Sequence, residues 1–350
     1  MSKSAYNFSS QLLHRMALQS PAIAEMSFDI ENAVVNKKNK VFSGNPVFIS
    51  GLARSGTTML TRYLHETGLF RSLTYRDMPF VLMPNTWKRL TFTKPVVEYR
   101  ERAHQDGIMV SYDSPEAFEE VFWKVFTGEK YIFKDRLQLY PIGNSVLHKF
   151  KDYVNNVLLS ADNAQQGRYL SKNNNNILRL PYLQKCMPDA KIIIPYREPL
   201  QQAASLLAQH QHFCKIQSED RFSLDYMNWL GHFEFGLNQK SFFLGDESTF
   251  GQMADYSKTD INFWLVNWRN YYQYALSQGT DNVIFFSYEA FCRQPREVVT
   301  TLFENLNIDA PVGQYEQFSP TAKTISGFDK DLLKECNAIY QQIIKRVGKL

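Results

Sequence analysis

The segment from Val47 to Thr58, VFISGLARSGTT, has the residue types of an anion cradle. Gly51 and Gly56 let backbone N–H groups approach a phosphate closely, and a helix starting at Thr57 or Thr58 offers unpaired amides and the positive end of its dipole. The glycine spacing is that of a nucleoside-triphosphate loop, yet Thr57 stands where lysine belongs. In a triphosphate enzyme that lysine reaches the outer phosphates, and Mg²⁺ is held by the loop hydroxyl and a strand-end Asp. Neither later strand supplies one: Ile192 to Ile194 runs into Pro-Tyr-Arg, and Val283 to Phe286 into Ser-Tyr-Glu. The loop is therefore expected to hold a phosphate without a triphosphate's metal, which disfavours a kinase or ATPase.

Hydrophobic periodicity shows which elements must carry this loop. Val47 to Ser50 is a short β-branched run, and Met59, Leu60, Tyr63 and Leu64 then fall on one helical face. A second strand-to-helix unit runs from Lys191 to Tyr196 and on through Arg197-Glu198-Pro199 into QQAASLLAQH, with the proline near the first helical turn. A third comprises Asn282 to Phe286, then Tyr288-Glu289 and a helix from Pro295 to Asn305. Strands alternating with helices predict an α/β fold with a central parallel sheet flanked by helices. Ligands gather at the carboxyl ends of such strands, where Gly51, Arg197 and Tyr288 fall.

Residues 8 to 35 have helical apolar spacing at Leu12, Leu13, Met16 and Ala17. The chain is read as one domain over residues 1–350, with 1–40 as a helical extension packed on it. Ser114-Pro115-Glu116 reads as the start of an acidic amphipathic helix carrying Glu116, Glu119, Glu120 and Trp123, with a packing role. Asn173 to Asn176 is a loop signal whose four amides suggest no chemistry.

Composition narrows the function classes. With 44% hydrophobic and 21% charged residues, the chain is that of an ordinary soluble globular protein. A net charge of +4 over 350 residues is too small to argue for nucleic acid and suits an anionic small ligand. No apolar run approaches the roughly 18 residues of a membrane span, and the first twenty residues lack a signal peptide's apolar core, so a cytoplasmic location is expected. Cys186, Cys214, Cys292 and Cys336 are widely spaced, which fits reduced structural thiols and no zinc site.

Three segments in order, GLARSGTT, IIIPYREPLQQAASL and VIFFSYEAFCRQP, resemble the landmarks of sulfotransferases that use 3′-phosphoadenosine 5′-phosphosulfate. The resemblance implies a P-loop-like sulfotransferase fold and transfer of a sulfuryl group to a hydroxyl, less readily an amine, by in-line displacement without metal. It implies that Arg54, Ser55, Gly56, Thr57 and Thr58 cradle the 5′-phosphosulfate, and that Arg197 and Ser205, eight residues on, bind the 3′-phosphate. Ala53 replaces a proline common in the family. Lys172 corresponds to a second cation, although Asn173-Asn174 stands where relatives have Asp-Pro. Lys323 falls on a loop that covers the nucleotide in relatives.

The acceptor must lose a proton, so a general base is expected. Family spacing points first to Asp77 and second to His104, whose ordinary pKa near 6.5 suits the task. Trp229, Phe233, Phe235, Trp264 and Trp268 suit either the core or the walls of an acceptor pocket. The acceptor's nature is open among small molecules, carbohydrates and lipids. A non-catalytic nucleotide-binding protein on the same fold is the alternative reading.

Overall fold

A computed structural model describes residues 8–35, 44–91, 100–101, 109–162, 167–309 and 324–347. At its centre are five parallel strands in the spatial order Phe70–Arg71, Arg168–Lys172, Val47–Ile49, Lys191–Tyr196 and Val283–Ser287. Ile49 is in register with Lys172 on one side and Ile193 on the other. The ends of these strands therefore deliver the glycine loop, Lys172 and Arg197 to one edge of the sheet.

Successive side chains of a strand point to opposite faces, and here both faces are covered. Val47 and Ile49 pack with Met59, Leu60, Leu64, Ile193 and Phe286 on one side. Phe48 packs on the other with Tyr169, Phe150, Ile192 and Ile194. Val47, Phe48 and Ile49 are fully buried, each a gain of about 1.5–3 kcal/mol from removing its side chain from water. This explains why the first strand reads as a continuous apolar run.

The three expected strand-to-helix units are present, with helices Thr57–Glu66, Pro199–Glu219 and Pro295–Asn305 following their strands. The strand Arg168–Lys172 has no apolar signature because it buries Arg168, Ser171 and Lys172, the two cations through polar contacts. Arg168 donates to the Asn45 and Leu306 carbonyls. The N-terminal region is two helices, Phe8–Gln19 and Pro21–Val34, broken where Ser20 caps the second and Pro21 starts it. Glu31 is fully buried and accepts from the backbone and side chains of Asn85 and Thr86, capping the helix Pro84–Leu90 and fastening the N-terminal region to the body.

One expectation is corrected. The acidic helix begins at Glu120 rather than at Ser114. Pro115 instead bridges Thr74, and the Glu116 amide donates to the Leu73 carbonyl at 3.1 Å, so this stretch is held extended. Among the described residues, no helix is long and apolar enough to cross a membrane.

Candidate active site

The loop between Ile49 and Thr57 is held from behind. Gln202, fully buried on the helix after Arg197, donates its amide to the Leu52 and Ala53 carbonyls at 3.2 and 3.0 Å. Its own oxygen accepts from Trp268 Nε1 and the Tyr272 hydroxyl. Ser55 is also fully buried, with Oγ donating to the Leu52 carbonyl at 2.7 Å. The Ser55 side chain thus closes the turn and leaves its backbone N–H as the group available to an anion.

Both glycines are sterically required. A Cβ on Gly51 would stand 2.8 Å from Thr57 Cγ2 and 2.9 Å from Ser55 Oγ. Gly56 has φ +90°, and a Cβ there would lie 2.8 Å from Tyr288 Cδ2. Arg54 also has positive φ, 67°, a conformation disfavoured for a residue with a side chain. Its Nε donates to Ser205 Oγ at 3.1 Å.

A cavity of about 290 Å³ opens at this edge of the sheet, lined by Arg54, Gly56, Thr57, Thr58, Lys172 and Arg197. The Arg197 guanidinium lies over the Tyr288 ring, 4.7 Å from its centroid. Glu198 does not pair with it: that carboxylate caps the next helix by accepting from the Leu200 and Gln201 amides. Arg197 has no ion pair among the described residues, so its charge faces the cavity uncompensated. Ser205, one of the expected phosphate ligands, meets Arg54 and is not among the cavity-lining residues.

Lys172 is 7% exposed and sits at the end of its strand with Nζ 3.1 Å from Thr58 Oγ1 and 2.6 Å from Glu116 Oε1. The four asparagines that follow act as its footing. Asn173 Nδ2 donates to Glu120 at 2.7 Å, Asn176 Nδ2 to Glu119 at 3.0 Å, Asn175 Nδ2 to the Gly231 carbonyl at 3.0 Å, and Asn174 Nδ2 to Glu234 at 2.8 Å. Glu119 and Glu120 are buried beneath them. Arg179 grips Glu120 through two nitrogens at 2.8 and 3.0 Å, and burial of the acidic pair is tolerable because these donors satisfy it.

Asp77 lies elsewhere. It is 5% exposed, absent from the cavity lining, and paired with Arg71 at 2.7 Å. Its other oxygen accepts from the Thr74 amide at 2.7 Å and hydroxyl at 3.3 Å, capping the turn Tyr75–Asp77. The family spacing falls on a residue whose oxygens are committed; Tyr75 is the member of that turn that lines the cavity. His104 and Lys323 lie outside the described residues.

Among the cavity residues to which the sequence assigned no role at the site are Glu116, expected on a packing helix, Asn174, expected in a loop, and His232 and Glu234. His232 is fixed by an Nε2 contact of 3.0 Å to the Ala117 carbonyl, which must be a donation from the ring because a carbonyl only accepts. His232 and Glu234 belong to no local motif, and the segments around Glu116 and Asn174 read as a packing helix and a loop, so the sequence held no signal of their place at the site. Of the aromatic candidates, Phe235 lines the cavity, whereas Trp264, Trp268 and Phe233 are buried in the core and Trp229 packs on Phe222.

The fold resembles that of the sulfotransferase STF9 from Mycobacterium avium, with a TM-score of 0.55 at 13% identity over 99% of this chain and 87% of that one. The sulfotransferase STF1 from Mycobacterium tuberculosis H37Rv aligns with a TM-score of 0.48 at 11% identity, covering 100% and 88%. Among curated proteins no match is found. A model described as the Sulfotransferase family matches residues 46–240, a span holding the glycine loop, Lys172, Arg197 and Glu234 and amounting to more than half of the chain. By this match and its five-stranded parallel sheet, the chain belongs to the sulfotransferase family.

Proposed function

We propose that the protein transfers the sulfuryl group of 3′-phosphoadenosine 5′-phosphosulfate to a hydroxyl acceptor. The observation that carries this reading is the chain of contacts Thr58–Lys172–Glu116, which joins the phosphate loop to a carboxylate within one cavity. The glycine cradle suits a phosphate, since Gly51 and Gly56 allow the tight turn that leads into the helix amides at Thr57. Arg197, which lines the same cavity, suits the additional 3′-phosphate, and Ser205, assigned to the same phosphate, accepts from Arg54.

The loop amides of Ser55, Gly56, Thr57 and Thr58, with Arg54, bind the 5′-phosphate that becomes the leaving group. Lys172, released from Glu116 as the sulfuryl group arrives, compensates charge on its oxygens. Glu116, no longer facing the ammonium, takes the proton of the acceptor hydroxyl. The acceptor oxygen bonds to sulfur as the bond from sulfur to the phosphate oxygen breaks. Positioning and electrostatics do the work, as in phosphoryl transfer. Asp77 holds the Tyr75 turn and is assigned no chemical step.

Calorimetry tests the donor. The reading requires tight, magnesium-independent binding of 3′-phosphoadenosine 5′-phosphate, and a preference for ATP with Mg²⁺ would sink it. A screen of hydroxyl acceptors with radiolabelled donor tests the transfer; nucleotide binding without turnover on any acceptor would favour a binding protein.

A further inference from the structure

We infer that the acceptor carries an ammonium group on an apolar body, and that Glu234 with Asn174 recognises it. This inference rests on the sulfuryl-transfer reading of the cavity.

The cavity contains two carboxylates among its lining residues. Glu116 is compensated by Lys172 at 2.6 Å. Glu234 has no ion pair among the described residues, and its one hydrogen bond comes from the neutral Asn174 amide at 2.8 Å. A carboxylate here repels a polyanionic nucleotide, so it does not serve the donor. It serves whatever shares the cavity with the donor.

Asn174 holds the Glu234 carboxylate in place. A carboxylate only accepts, so Asn174 must present its NH₂ to Glu234, which fixes the orientation of the amide. Oδ1 is thereby turned away, buried and without a partner, in a residue only 7% exposed. A carboxylate only accepts, and Glu234 has no charged partner among the described residues, so the missing ligand donates. An ammonium supplies up to three N–H donors and the opposite charge, whereas a hydroxyl supplies one donor and no charge.

The rest of the wall sets the body of the acceptor. Phe213, Met227, Leu230 and Phe235 line the cavity and are buried hydrophobic side chains of the core. Such a surface favours an aromatic or aliphatic skeleton and gives a polyol few partners. The acceptor class is thus an amphiphilic alcohol or phenol bearing an amine.

The test uses three phenols differing in charge: tyramine, neutral 4-ethylphenol and 3-(4-hydroxyphenyl)propanoate. Each is titrated into the protein with and without 3′-phosphoadenosine 5′-phosphate. Tyramine is expected to bind about 10-fold tighter than 4-ethylphenol, as a charge-assisted hydrogen bond gives, with the propanoate weakest. Glu234→Gln should abolish the preference while keeping 4-ethylphenol affinity, and Glu234→Asp should retain it. Equal binding of tyramine and 4-ethylphenol, a preference surviving in Glu234→Gln, or no measurable tyramine binding overturns the inference. Failure of the nucleotide to bind overturns the donor assignment instead, and the charge preference is then read on the nucleotide-free protein.

Discussion

Lys172 and Glu116 form an ion pair of 2.6 Å whose side chains are 8% and 9% exposed. The pair links the end of a central strand to an extended segment that bridges Thr74. Removing one partner of such a pair leaves a buried charge, whereas removing both does not. Glu116→Gln is expected to lower kcat by about 10²-fold or more, the usual contribution of a general base, with nucleotide affinity intact. The double variant Lys172→Met/Glu116→Gln should recover thermal stability relative to Lys172→Met or Glu116→Gln alone and remain inactive. Thermal melts and single-turnover kinetics check this; an active double variant would exclude both residues from the chemistry.

Asp77 should matter for stability and not for turnover. Its pairing with Arg71 and its capping of Thr74 are buried, so Asp77→Asn is expected to destabilise by about 3–5 kcal/mol. Turnover per folded molecule should stay near that of the parent. Denaturant titration beside activity measured well below the melting temperature separates the two. A hundredfold loss of kcat at unchanged stability would return the role of base to Asp77.

Arg197 should discriminate nucleotides. Its guanidinium is held over Tyr288 and has no ion pair among the described residues, so the charge remains available to a 3′-phosphate. Arg197→Ala is expected to weaken 3′-phosphoadenosine 5′-phosphate by about 10-fold or more, the worth of a charge-assisted contact, while AMP binding changes little. Calorimetry with both nucleotides reads the ratio. An unchanged ratio would show that the 3′-phosphate sits elsewhere.

Acid should loosen the footing of Lys172 through Glu120. Burial raises the pKa of this carboxyl, but Arg179, the Tyr131 hydroxyl and Asn173 outweigh burial and hold it below its ordinary value of 4.5. A carboxyl with a depressed native pKa stabilises the fold above its unfolded pKa, and that contribution is lost as pH falls through the native value. Unfolding free energy should therefore decline below about pH 4.5. In the double variant Glu120→Gln/Arg179→Met the decline should be shallower, which denaturant titrations across pH 3 to 6 would measure. An identical slope would mean that other carboxylates dominate.

The parts legible in the sequence are those that chain neighbours impose on one another. Gly51 and Gly56 reveal a tight turn entering a helix because only glycine fits so near Thr57 and Tyr288 or at φ +90°. Apolar runs such as Lys191–Tyr196 reveal buried parallel strands, and the Pro199 turn reveals the helix that brings Arg197 to the edge. What the tertiary structure decided is which distant polar groups meet. Lys172 and Glu116 are 56 residues apart, and Asn174 and Glu234 are 60 apart. Their partners were chosen by the need to satisfy charges and amides once the sheet and its helices had buried them. For the same reason Asp77 was claimed by Arg71, and the four asparagines, silent in the sequence, became the support on which Lys172 stands.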